Sequence, residues 1–210
     1  MQTTTKTTAR RIALLTALPL VGALALTGCS SDDDDRDDVA APAASAPAAS
    51  APSVASDGSS SAAATGNDAL PTAAATARKA VGSGTVTAIE QEAGGTSWEV
   101  LVVTADGREQ EVHVDADGRR TTAGPTKETS DADDVAEAKR FVGAADLSVA
   151  QAASALTKTV SGTVTELGLD DHAGTVVWEG DVRDDAGTKH SIRIDAGSGE
   201  VVTNTVDTDD

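Results

Sequence analysis

The sequence predicts an α+β protein. It reads as two tandem small modules, each one helix packed on a three-stranded antiparallel sheet, behind a disordered N-terminal linker. Three observations lead there. A unit of roughly 60 residues occurs twice, and a repeat of that kind sets the architecture before any single motif does. Within each copy, short segments bounded by Gly and Asp alternate apolar and polar residues with the period of a strand. Upstream of both copies lies a long run of Ala, Pro, Ser and Asp with no periodicity.

The N-terminus reads as an address followed by a tether. Residues 1–28 carry Lys6, Arg10 and Arg11 and no acid, then an apolar run from Ile12 to Leu26 broken by Pro19 and Gly22. That run is shorter than the roughly 20 residues a membrane-spanning helix needs. It ends in Leu26-Thr27-Gly28-Cys29, and Cys29 is the chain's one cysteine. This segment resembles a bacterial lipoprotein signal peptide with its lipobox. The resemblance implies lipidation of Cys29 as the first mature residue, and attachment to the extracytoplasmic face of the cell membrane. The alternative is an ordinary signal peptide with an incidental Cys. Arg10-Arg11 leaves the twin-arginine route open beside the Sec route. Residues 29–66, opening Ser30-Ser31-Asp32-Asp33-Asp34-Asp35 and continuing in Ala, Pro and Ser, cannot bury enough apolar surface to offset ordering and are expected to stay disordered. Four consecutive Asp on a flexible chain do not preorganise a calcium site.

The first module is placed at 67–122. Its helix runs from Leu70 to Val81, with Pro71 or Thr72 at the start and Gly82 as the stop. It is rich in Ala, which favours helix but offers little apolar area, so the first module is expected to be the less stable. Three strands follow: Gly84 to Gln91, Ser97 to Thr104, and Arg108 to Asp115. A hydrophilic connector at 123–143 contains a candidate helix from Asp131 to Val142, with acids at its start and Lys139 and Arg140 near its end. The second module, 144–205, opens with Ser148 as N-cap and Gln151 completing a capping box. Its strands are Gly162 to Leu169, Val176 to Arg183, and Thr188 to Asp195. Ser161 follows Ser83 by 78 residues and Trp178 follows Trp98 by 80, so the second copy is expected to carry two extra residues in its first hairpin turn. Alternation puts Trp98, Val100, Val102, Val176, Trp178 and Val182 on the face the helices cover.

Helix, three antiparallel strands, a Gly-Thr-Val-Thr start and an apolar-x-apolar-Asp-Ala-x-x-Gly exit resemble the PepSY domain. The second copy carries the pattern best, through Ser148-Val149-Ala150-Gln151-Ala152, Gly162-Thr163-Val164-Thr165 and Ile192-Arg193-Ile194-Asp195-Ala196-Gly197-Ser198-Gly199. In the first, Asp115-Ala116-Asp117-Gly118 is one residue short. The resemblance implies a non-catalytic module that binds or restrains a peptidase or another cell-envelope protein in trans.

Composition excludes other classes. Net charge is −18, and three of the 16 basic residues lie in the leader. Such a chain does not neutralise nucleic-acid phosphates. Phe141, Trp98 and Trp178 are the only aromatics, so two small cores are expected in place of one large one. His113, His172 and His190 fall at non-equivalent repeat positions and read as solvent-exposed. No catalytic, cofactor-binding or metal-ligating residue is assigned, and the chain is read as no enzyme, with no cofactor. The partners expected are the membrane, through the lipid on Cys29, and a protein such as a secreted or membrane peptidase. The alternative is an envelope ligand or divalent-cation sensor that uses the acidic surface. The address gives a first test. Cys29→Ala is expected to move the protein from the membrane to the soluble fraction of fractionated cells; a variant that stays with membranes excludes lipidation at Cys29 as the anchor.

Overall fold

A computed structural model describes residues 66–207; Cys29 and the tether lie outside the described residues. The elements are α1 (Leu70–Val81), β1 (Thr85–Glu92), β2 (Ser97–Val103), β3 (Glu109–Asp115), β4 (Thr121–Lys127), α2 (Ala132–Ala144), α3 (Val149–Thr159), β5 (Gly162–His172), β6 (Thr175–Asp184), β7 (Lys189–Asp195) and β8 (Val201–Val206). The α+β class and the six expected strands are present, but not as two three-stranded modules. All eight strands form one antiparallel sheet in the order β4-β3-β2-β1-β5-β6-β7-β8. Each half contributes four strands, and the first strands of the two halves pair with each other.

The fourth strands follow from the turns that end β3 and β7. Asp115 Oδ1 accepts from the amides of Arg119 at 2.8 Å and Arg120 at 3.0 Å. Asp195 Oδ1 accepts from Ser198 N at 2.7 Å and Gly197 N at 3.1 Å. Each Asp thus closes a tight turn that returns the chain alongside the strand it has just left. Gly118, with φ +76°, sits where a Cβ would strike the backbone of α1 at Ala73 N and Ala69 O. No side-chain-bearing residue fits that approach.

The first hairpins correct the expected turn lengths. The β1–β2 loop spans the four residues between Glu92 and Ser97, whereas His172 pairs with Thr175 and leaves only Ala173 and Gly174 in the β5–β6 loop. Both residues have positive φ, the geometry of a two-residue hairpin. The extra residues of the second copy therefore lengthen its strands, not its turn.

The helices form at the expected places. Ser148 caps α3 with Gln151 in a capping box, and Asp131 caps α2 with Asp134 in the same way. α1 and α3 lie against each other, and both pack on the sheet. Leu70, Ala73 and Ala77 of α1 and Ala152 and Leu156 of α3 bury one core with Ile89, Trp98, Val100, Leu167, Trp178, Ile192 and Ile194. There is one contiguous core, not two, because the shared sheet lets the two helices meet over its seam. The tryptophans are its anchors, 2% and 0% exposed. Their indole N–H groups donate to Ala116 O and Leu147 O, each at 3.2 Å. Gly180 is needed on this face: a Cβ there would strike Leu156 and lie 2.8 Å from the Glu166 carbonyl.

Both first strands carry a bulge at the same motif position, between Val86 and Ala88 and between Val164 and Glu166. The bulge shifts alternation by one residue. Ile89 and Leu167 consequently turn inward, and Glu90 and Glu166 turn to the face opposite the helices.

The seam between the halves is short. β1 and β5 pair only as Ala88↔Gly168, Ile89↔Leu167 and Glu90↔Glu166. Side chains extend it. Asn67 accepts from Val164 N at 2.9 Å and donates to Gly162 O at 2.7 Å, and Gln91 Nε2 donates to Val164 O at 3.0 Å. Asn67 thereby acts as one further rung beside β5. Asn67→Ala is expected to cost about 1–2 kcal/mol, the net worth of two such bonds, and to speed amide exchange at Val164 ahead of the rest of β5. Unchanged exchange at Val164 would show that the clamp does not hold the seam.

Candidate functional site

Among the described residues, the face of the sheet opposite α1 and α3 carries a continuous row of acids. One cross-strand row runs His113–Glu99–Glu90–Glu166–Asp181–Ser191, read from the pairings His113↔Glu99, Glu99↔Glu90, Glu90↔Glu166, Glu166↔Asp181 and Asp181↔Ser191. Four consecutive positions are acids. Like charges directly opposite on a sheet repel, and here the repulsion crosses the seam itself. The second half relieves its share. Lys189 Nζ lies 3.1 Å from Asp181 and 2.9 Å from Asp207. Arg193 makes a forked pair with Glu179, at 3.0 Å and 2.7 Å.

The first half has no such cation. His113 stands opposite Glu99, where Arg193 stands opposite Glu179. Its Nε2 is 2.8 Å from Glu111 Oε1, and its Nδ1 is 3.6 Å from Glu92 Oε2. One ligand atom from each of Glu92, Glu99 and His113 falls within 4.8 Å of the other two. The imidazole is half-buried, 28% exposed, not free in solvent as its sequence position suggests.

Protonation follows from this crowding. Burial, with repulsion from Glu111, Glu92 and Glu90 exceeding the attraction of His113, pushes the Glu99 carboxyl up to about 7. Burial and the charges of Glu90, Asp181 and Glu179, against the attraction of Lys189, push Glu166 up to about 7. Burial, Glu92 and Asp181 raise Glu90. The turn aspartates move the other way. Burial opposes the shift, but hydrogen bonds from the Arg120 backbone and guanidinium hold Asp115 down at about 2. The Ser198 amide and hydroxyl lower Asp195.

The remaining histidines are not part of this group. His190 Nε2 lies 3.2 Å from Asp184, and its Nδ1 is buried without a partner. His172 ends β5. Asp115 and Asp195 are turn residues, as expected of strand exits. In the sequence Glu92 and Glu99 are two acids among 34 and His113 reads as solvent-exposed. The available signal was Glu111-x-His113, two polar side chains on one face of a strand, set beside Glu99 in the preceding hairpin arm.

Residues 146–203 match the PepSY family, described as peptidase propeptide and YPEB domain. The match runs from just before α3 into β8, so the second half of the chain is similar to that family. No curated protein matches the chain. Among solved structures, a candidate lipoprotein from Clostridium difficile 630 is 17% identical, over 62% of this chain and 87% of that one, with a TM-score of 0.42.

The raised carboxyls fix the sign of the pH dependence. The unfolded chain releases these protons near 4.5 and the folded chain near 7, so between those values the folded state holds more protons. Stability contributed by these groups is present below about 4.5 and lost as pH rises through about 7. The melting temperature is expected to fall between pH 5 and pH 8, and less steeply in Glu99→Gln and Glu166→Gln. Thermal melts across that range in which the variants keep the wild-type slope would remove these two groups as its source.

Proposed function

We propose that this protein is a lipid-anchored extracytoplasmic module that captures an extended segment of a cell-envelope polypeptide, a secreted or membrane peptidase being the partner class that the PepSY domain favours. The first half acts as a second, diverged copy of that domain. The anchor is Cys29, and residues 29–66 hold the folded part away from the bilayer. No described helix is long and apolar enough to cross a membrane, so the reading needs no spanning element among residues 66–207.

The observation that carries the capture reading is the difference between the two sheet edges. β4 is exposed along its length, contains Pro125 and ends at Lys127. Proline and lysine are the usual means of blunting an edge. β8 has neither. It presents Val201, Val202 and Val206, the exposed large hydrophobics of the described residues, at 50%, 43% and 51% exposure. Asp207 N donates to Lys189 O, so the antiparallel alternation leaves the amides and carbonyls of Asn204 and Val206 facing outward. An outward ladder beside apolar side chains suits strand addition by an extended peptide.

The test is recovery of envelope proteins on the immobilised full chain, compared with Asn204→Pro. That substitution removes an amide that bonds nothing within the protein. It is expected to leave the melting temperature within a few degrees of wild type and to lose most of the captured peptidase. Equal capture by both proteins refutes the β8 reading. Loss of self-association alone, seen by light scattering, would make the occupant a second copy of this chain and exclude a foreign peptide.

A further inference from the structure

We propose that Glu92, Glu99 and His113 form a binding site for one divalent transition-metal ion of the zinc class, with Glu111 fixing the imidazole from behind. This goes beyond the polypeptide-binding reading and does not depend on it. The donor set is one imidazole and two carboxylates, ligand types that zinc accepts, and three protein ligands leave a fourth position for water. Ligand atoms at about 2.0–2.2 Å from one ion lie roughly 3–4 Å from one another. Glu92, Glu99 and His113 already gather such atoms within 4.8 Å, so ordinary rotamer adjustment closes the site.

The orientation of His113 points the same way. Glu111 Oε1, at 2.8 Å, accepts the proton of Nε2. A carboxylate holding the far N–H of an imidazole is the arrangement that selects the tautomer of a metal-bound histidine. In that tautomer Nδ1 carries a lone pair, and it faces Glu92 Oε2 at 3.6 Å. Glu99 stands beside this pair, so three candidate ligand atoms converge on one place. Among the described residues, neither Glu92 nor Glu99 forms an ion pair with Lys or Arg.

The second half shows what fills the same place there. Glu92 pairs with Ser97, and Asp170 pairs with Val177, the residue 80 positions after Ser97. Asp170 and Glu179 thus correspond to Glu92 and Glu99, and both interact with one another. Arg193 corresponds to His113 and forks onto Glu179. The second half has a cation built into β7. The first half has an imidazole at that position, a side chain that ligates metals, where the second half has a guanidinium, which does not.

Calorimetric titration of the full chain with zinc chloride, at neutral pH and 150 mM salt, tests this. One salt-resistant site is expected, with His113 ring-nitrogen chemical shifts moving at Nδ1. Glu99→Gln and His113→Ala are expected to weaken binding at least tenfold, and Glu111→Gln by about 10–100-fold. His113→Arg copies the second half; it should abolish zinc binding and raise the metal-free melting temperature. Diffuse heat that vanishes with salt overturns the site. So does binding unaffected by His113→Ala, or a wild-type His113 whose Nδ1 shift ignores zinc. Calcium bound as tightly as zinc would also overturn it, by making the imidazole irrelevant.

Discussion

The fold depends on the pairing of β1 with β5. Every other strand contact in the sheet is between neighbours in sequence, and each half would otherwise stop at four strands with one helix above them. Three residue pairs join the halves. Behind them, Ile89 and Leu167 place apolar side chains from both halves into one core, beneath helices that touch. A sparse aromatic content then suffices. Each tryptophan anchors its own half, and the seam merges two cores that would be marginal alone.

The same seam sets Glu90 opposite Glu166. Without the bulges in β1 and β5, continued alternation from Val86 and Val164 would send Ile89 and Leu167 outward. With them, the apolar residues face the helices and the acids face the open side. The register that builds the core is therefore the register that lines up four carboxylates. The repulsion is a consequence of joining the two halves through their first strands, and raised carboxyl pKa values are the means by which the sheet accommodates it.

Much of this was legible in the residues. Ser148 and Gln151 declared their capping box, Gly82 its helix stop, and Trp98 and Trp178 their buried face. β4 was not legible. Thr121–Lys127 has no buried residue and hence no alternation; it is a strand because β3 offers a free ladder and the Asp115 turn returns the chain to it. The seam was hidden for a similar reason. Glu166-Leu167-Gly168 pairs with Ala88-Ile89-Glu90 across a separation that no local pattern encodes. The bulges were invisible to a period-two reading, which assumes unbroken alternation. The His113 group fell outside it because its members come from three strands and only the ladder brings them together.

The two halves differ at one paired position of the sheet. Where Glu179 meets Arg193, Glu99 meets His113. A guanidinium is always charged and holds its carboxylate in a fixed fork. An imidazole is charged or neutral according to its surroundings, and it ligates metals. The exchange gives Glu179 a permanent cationic partner in the second half and leaves Glu99 beside an imidazole in the first. The edge with exposed valines belongs to the half that carries the Arg193–Glu179 fork. One sheet thus holds two different surfaces: an edge strand with outward valines at β8, and at β1–β3 a cluster of two carboxylates and an imidazole.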